Sequence, residues 1–214
     1  RILKPGTLTP AVLAMLDVKY LVLPNYISAG PLLTLVHDGS RKVYQFNAVL
    51  PRAFLVDSVA VLTEEGAVLD AIASDWFDPS RTAFVLEPVP GGPVTKEGSS
   101  VRIVSYGLNR VDIEANIAKP CFMVLSELYY PDWKAQIDGA QVKIYRTDFL
   151  LRGLPLAPGN HTIEFYYDSR SLKRGVLLSA SASVVIILSF VPAVLRLVQR
   201  GTRREIAGHS ADIQ

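Results

Sequence analysis

The sequence predicts an α+β, mostly β fold: an antiparallel β-sandwich-like domain followed by one transmembrane helix. Three observations predict it. Residues 101–170 alternate short apolar runs with turn signals at close, regular spacing, which is the pattern of a sandwich. Before them, the stretch 87–100 carries three Pro and three Gly in 14 residues, so it disfavours both helix and central strand and reads as a linker. After them, Gly175–Leu195 runs for 21 residues without a charge. As a helix it would be about 31 Å long, which matches the hydrocarbon core of a bilayer.

Residues 1–86 read as a mixed α/β part. Thr9-Pro10 forms an N-cap and first helical position, opening a short helix through Met15 and Leu16. Val18–Leu23 is a strand closed by Pro24-Asn25, and Val43–Asn47 alternates as a second. Arg52–Val56 and Val59–Leu62 are further strands. Thr63-Glu64-Glu65 opens a helix whose face holds Val68, Leu69 and Ile72, ending near Ser74. Thr82–Leu86 is the last strand before the linker.

The sandwich part, 101–170, offers the strands Val101–Tyr106, Arg110–Ile117, Cys121–Leu128, Lys134–Ile137, Gln141–Tyr145, Phe149–Leu151 and His161–Tyr167. Gly107-Leu-Asn109, Lys119-Pro120, Pro131-Asp132, Asp138-Gly139 and Pro158-Gly-Asn160 separate them. Asp138-Gly139 is the firmest hairpin signal, because a type I′ turn needs positive φ at both central residues. In His161–Tyr167, Ile163 and Phe165 face one way and Thr162 and Glu164 the other, as in a strand with one wet face. Residues 171–198 form the transmembrane helix, and 199–214 a basic tail.

Charge narrows the function classes. The chain has 22 Lys+Arg against 20 Asp+Glu, a net +2, with 50% hydrophobic residues and a mean hydropathy of +0.27. The tail from Arg196 has four Arg against Glu205 and Asp212, so it holds the whole +2 and residues 1–195 are neutral. No surplus remains to neutralise phosphates, which excludes a basic nucleic-acid-binding domain. The single cysteine, Cys121, lies in an apolar stretch and reads as a buried, inert thiol. The chain begins at Arg1 and shows no signal peptide. It is expected to be a fragment or a processed product, with any export signal upstream.

Three cations (Arg170, Lys173, Arg174) precede the apolar run and four (Arg196, Arg200, Arg203, Arg204) follow it. The excess places the C-terminus in the cytoplasm and residues 1–170 outside, by a margin of one charge. Serines 179, 181, 183 and 189 fit such a helix because each hydroxyl can bond back to the preceding turn. Gly175, Ser179 and Ser183 form a small-xxx-small series for close packing on another membrane helix.

Nothing in the chain has the spacing of a catalytic or cofactor motif. There is no P-loop, GxSxG, HExxH or GxGxxG, and His37, His161 and His209 are isolated. No catalytic residue, metal site or cofactor is therefore expected. Asn160-His-Thr162 matches the glycosylation pattern, which has meaning only in a glycosylating host. The densest polar-aromatic cluster is Glu127–Lys134, followed by Tyr145–Asp148. Tyr129, Tyr130, Asp132, Trp133 and Arg146 are the candidate sugar contacts, since flat aromatic rings stack on sugar rings while Asp or Arg bonds the hydroxyls. The same aromatic residues equally suit capping a sandwich core, with Asp132 in a turn after Pro131. Arg146 and Arg152 suit either an anionic lipid headgroup or neighbouring carboxylates.

These residues also carry a resemblance. Leu125–Ala135 (LSELYYPDWKA), Ile137-Asp-Gly139, Tyr145-Arg-Thr147, Leu151-Arg-Gly153, Pro158-Gly-Asn-His-Thr162 and Phe165-Tyr-Tyr-Asp168 resemble the C-terminal portion of the bacterial YfhO family. Leu16–Leu21 (LDVKYL) and Leu50–Phe54 (LPRAF) resemble the segment after that family's membrane core. The resemblance covers most of residues 10–190. It implies a large polytopic membrane protein of glycosyltransferase-C-like arrangement, moving sugars from a polyprenyl-phosphate donor onto cell-envelope acceptors at the outer face of a bacterial membrane. The family's catalytic carboxylates belong to an early loop, so none is carried onto this chain. The implied partners are the lipid bilayer, the remaining transmembrane helices of the parent protein, and a glycan or polyprenyl-linked sugar. From a different class comes the alternative of a membrane-anchored carbohydrate- or envelope-binding module without catalysis. A third expectation is a structural domain that stabilises the membrane bundle.

Overall fold

The structure is a computed structural model and describes residues 9–28 and 30–211, without the side chains of 170, 191 and 193–211. The chain forms two compact units, Arg1–Asp168 and Ser169–Gln214.

The first unit opens with α1 (Pro10–Met15). Thr9 caps it as its sequence suggests: the Thr9 Oγ1 accepts the Val12 N–H at 3.2 Å, satisfying one of the unpaired donors of the first turn. Strands β1 (Tyr20–Leu23), β2 (Leu33–Asp38) and β3 (Lys42–Phe46) make a small sheet in the order β1-β3-β2. Next come β4 (Ala53–Val56), β5 (Ser58–Val61), α2 (Glu65–Ile72) and β6 (Thr82–Val85). The second half is all strand: β7 (Ser100–Tyr106), β8 (Arg110–Ile117), β9 (Cys121–Leu125), β10 (Trp133–Ile137), β11 (Ala140–Val142), β12 (Tyr145–Thr147), β13 (Leu151–Leu156) and β14 (Gly159–Tyr167).

These strands make two larger sheets: a five-stranded one, β11-β10-β14-β8-β7, and a six-stranded one, β4-β9-β13-β12-β6-β5. Every pair is antiparallel except β5/β6, which is parallel. A parallel pair needs a crossover, and the chain between β5 and β6 contains α2. The fold is therefore mostly β and sandwich-like.

Two apolar layers hold the unit together. Ile113, Ile163 and Phe165 of the five-stranded sheet pack with Met123, Leu125 and Leu154 of the six-stranded one. On the other face of the six-stranded sheet, Phe54, Val56, Phe84, Phe122 and Val124 pack with Val12 and Met15 of α1 and Val68 and Ile72 of α2. Strand β9 lies between these layers. Cys121, Met123 and Leu125 enter one and Phe122 and Val124 the other, so it is buried throughout and reads as an unbroken apolar run.

The strands depart from expectation in several places: β2 is not foreseen by the sequence pattern, β1 begins at Tyr20 and β14 already at Gly159, inside the expected turn. Gln141–Tyr145 is not one strand: it divides between β11 of the five-stranded sheet and β12 of the six-stranded sheet, with Lys143-Ile144 turning the corner. Phe149 is not a strand residue. Asp148 and Phe149 hold φ of 47° and 73° and turn the chain from β12 into β13. Strand β13 hides from a pattern reading because it contains Gly153 and Pro155, which strands usually exclude. Strand β9 stops at Leu125, and Ser126 onward forms a loop. The Pro/Gly-rich stretch carries the chain from β6 of one sheet to β7 of the other, and β4–β6 from before it share a sheet with β9, β12 and β13 from after it.

The second unit is one helix, α3 (Arg170–Ala211), with Pro192 inside it. Its stretch Ser171–Phe190 is long and apolar enough to cross a membrane, with a mean hydropathy of 1.6 and none of it buried. The hydroxyls of Ser181, Ser183 and Ser189 donate back to the carbonyls of Leu177, Ser179 and Ile186 at 2.7–2.8 Å, so they present no unpaired donor. The far-side cations Arg196, Arg200, Arg203 and Arg204, and His209, have side chains outside the described residues.

Candidate functional site: the aromatic end of the sandwich

The loop between β9 and β10 holds Tyr129, Tyr130 and Asp132, and Trp133 opens β10. Antiparallel pairing sets Trp133 opposite Tyr167, the last residue of β14. Around Tyr167 the aromatic residues gather. Tyr130 stacks on it with ring centroids 6.3 Å apart, and Trp133 meets it edge-on at 5.7 Å. Asp132 works as a connector. Its Oδ2 accepts the Tyr167 hydroxyl at 3.4 Å and its carbonyl accepts the Asp168 N–H at 2.9 Å. The Trp133 N–H closes the turn on the Tyr130 carbonyl at 3.0 Å.

Arg152 of β13 completes the group. It is buried, yet its guanidinium lies 3.9 Å from the Trp133 ring centroid, close enough for a cation–π contact in a desolvated setting. Its Nε–H donates to the Leu128 carbonyl at 2.9 Å and so ties down the loop. Burial lowers its pKa to about 10, while the charge of Glu127 acts the other way. Glu127 also accepts from Arg52 at 3.3 Å and from the Tyr106 hydroxyl. Arg52 bonds Asp17 at 2.9 Å and covers the Tyr106 ring at 4.8 Å. The Asp17 contact raises the Arg52 pKa, and burial with the Glu127 bond raises that of Tyr106.

Of the five candidate contacts, the structure brings together Tyr130, Asp132 and Trp133. Tyr129 is on the same loop, bonded through its N–H to the Leu150 carbonyl at 2.7 Å, and with Trp133 it lines a shallow cleft that includes Lys134 and Lys143. Arg146 is engaged elsewhere: it pairs with Glu65 of α2 at 2.6 Å, bonds the Phe149 carbonyl and covers the Phe149 ring. Trp133 gives one face to Arg152 and an edge to Tyr167, whereas Tyr130 keeps 54% of its surface exposed. Comparison with protein-family models, curated proteins and solved structures finds no match.

Sequence reasoning included Glu127 in this cluster but missed Tyr167, Tyr106, Arg52 and Asp17 as its members. Their one legible signal was an arginine, Arg152, inside an apolar strand. The rest depends on which strand ends meet.

Two groups elsewhere have altered chemistry. Asp148 is fully buried; its Oδ1 accepts the Phe84 N–H at 2.8 Å and its Oδ2 has no partner. Burial raises its pKa to about 7 against that bond. With none of its surface exposed, its carboxyl does not meet solvent. Cys121 is buried and its thiol is pushed up to about 11 by burial, which makes it a poor nucleophile. Among the described residues no three His, Cys, Asp or Glu side chains group as metal ligands.

Proposed function

We propose that this chain is an accessory extracytoplasmic domain with its membrane anchor, part of a polytopic membrane protein of the kind the YfhO resemblance implies. The observation that carries the anchor is Ser171–Phe190: apolar, helical and unburied. An apolar helix that finds no protein core needs a lipid one. The sandwich is the part that stands outside the bacterial cell membrane, with the C-terminus in the cytoplasm. Sugar transfer from a polyprenyl-linked donor belongs to the parent's membrane core, and this domain flanks the acceptor side.

Fractionation tests the anchor. The full chain should stay with membranes through alkaline carbonate and leave only in detergent; a chain ending at Asp168 should not. A full chain that is monomeric in buffer without detergent sinks the reading. For topology, a cysteine in place of exposed Glu97 should react with an impermeant maleimide added outside cells. Buried Cys121 is unsuited to this use.

The second reading, a carbohydrate- or envelope-binding module, is favoured by exposed Tyr130. Tyr130→Ala in the full chain should then weaken binding to envelope glycans about ten-fold, the loss of one stacking ring. Equal binding by Tyr130→Ala and wild type removes that reading.

A further inference from the structure

The two ends of the five-stranded sheet differ in chemistry. Strand β14 runs toward Tyr167, and its antiparallel partners place the start of β10 and the start of β8 beside that end. Tyr106 of β7 pairs with Val111 of β8 there too. The β7–β8 turn and the β9–β10 loop therefore flank the point where the chain leaves the domain. A bond fixes this: the Tyr167 N–H donates to the Asn109 carbonyl at 2.9 Å, next to Leu108 at the tip of the turn. At this end Leu108 is 97% exposed, Leu128 66%, and Tyr106 and Tyr130 about half.

The opposite end carries Ala118-Lys119-Pro120, Asp138-Gly139 and Ala157-Pro158. Among the described residues no large apolar side chain is exposed on those turns. A leucine exposed to water loses the stabilisation of burial, and here Leu108 at a turn tip, Leu128 in the β9–β10 loop and two tyrosines share one end. The backbone at Leu128 is fixed by the bond from Arg152 to its carbonyl.

The occupant follows from the chain. Tyr167 is four residues before Ser171, where the apolar stretch begins, and four residues reach at most about 14 Å. Tyr130 and Trp133 touch Tyr167 directly. If the helix spans a bilayer, the tether alone brings this end of the sandwich to the membrane's interfacial layer, the depth at which tyrosine and tryptophan gather.

We propose that the exit end of the sandwich is a lipid-contacting surface. Leu108 and Leu128 insert into the headgroup–acyl boundary of the outer leaflet, and Tyr106, Tyr130 and Trp133 form an aromatic girdle around them. Arg152 and Tyr167 hold the girdle rigid from behind. The surface fixes the tilt of the domain on the membrane. The proposal rests on the anchor reading.

The test uses the full chain in phosphatidylcholine nanodiscs, with an environment-sensitive fluorophore on single cysteines introduced by Leu108→Cys, Leu128→Cys, Lys119→Cys and Ile186→Cys. Lipids brominated near the headgroup should quench the probes at 108 and 128 by about half, consistent with an insertion of about 5–10 Å. The probe at 119, on the far turns, should be unquenched and accessible to aqueous iodide. Quenching at 186 by lipids brominated deep in the chain reports the anchor itself. If 186 is quenched while 108 and 128 respond to iodide as 119 does, the lipid surface is wrong and the anchor stands. If 186 is not quenched, both fall. Leu108→Asp with Leu128→Asp checks the same surface without a probe: the unfolding midpoint of the domain should hold, and deuterium exchange in the turn at 107–109 should rise only in nanodiscs. Exchange that rises equally in detergent and nanodiscs would overturn the proposal.

Discussion

Gly153 shows how one missing side chain sets the packing of a whole layer. A Cβ there would lie 2.4 Å from two Phe122 ring carbons and from Thr147 Oγ1, and both neighbours are fully buried. Gly153→Ala should therefore cost about 1–3 kcal/mol, as overpacking does, and chemical denaturation should show it as a lowered midpoint at unchanged slope. Asp148 makes a different prediction. Its folded pKa, about 7, lies above the ordinary 3.8, so between those values the folded chain keeps a proton that the unfolded chain has lost. The contribution of Asp148 to stability should be greatest below pH 4, decline as pH rises and level off above 7, by at most on the order of 4 kcal/mol. Asp148→Asn keeps an acceptor for the Phe84 N–H and tolerates the positive φ of 47°. Its stability relative to wild type should rise across that window. An unchanged difference from pH 4 to 8 would show that the carboxyl titrates normally.

Among the elements, the β10–β11 hairpin is the one whose turn, register and charge are all visible. Asp138 and Gly139 have φ of 52° and 81°, the pair that a type I′ turn requires. Asp138 then does a second job. Its Oδ1 accepts the Thr162 N–H at 2.8 Å, and its Oδ2 lies 2.6 Å from His161 Nδ1. His161 Nε2 faces the Ala157 carbonyl at 3.0 Å. Two acceptors favour the doubly protonated ring, and the Asp138 bond raises its pKa. A raised histidine pKa stabilises below about 6.5, and the contribution is lost as pH climbs through the folded value. Asp138→Asn should lower the His161 pKa toward its ordinary value, read by proton NMR of the ring. The sense is the same as for Asp148, so mild acid should favour the domain. In the helix α3, the leucines and isoleucines within Ser171–Phe190 are unburied, and Ser181 and Ser183 satisfy their own hydroxyls.

At the scale of the molecule, the Pro/Gly-rich stretch connects sheets instead of separating bodies. A protease cut between Gly91 and Gly92, both at positive φ, should leave two pieces that travel together in native buffer and part only in denaturant. The reason is that β4 pairs with β9 over four residues, β12 meets β6, and both cores draw on both pieces. Pieces that separate without denaturant would mean two independent domains.

What the sequence determined by itself is what local chemistry decides. Alternation in His161–Tyr167, the Thr9-Pro10 cap, the Asp138-Gly139 turn and the uncharged run before Arg196 each involve residues a few positions apart, and each is present in the structure as read. Of the proposed contact set, Tyr130, Asp132 and Trp133 were legible because they are neighbours in the chain. Arg146 was grouped with them by composition and lies against Glu65, 81 positions away. Only the tertiary structure decided that Lys143-Ile144 turns a sheet corner, that β13 tolerates Gly153 and Pro155, and that Arg152 lies over Trp133 beside Tyr167. Those outcomes depend on which strands become neighbours, and strand pairing is fixed by the two cores closing together. No window of sequence contains both sides of either core.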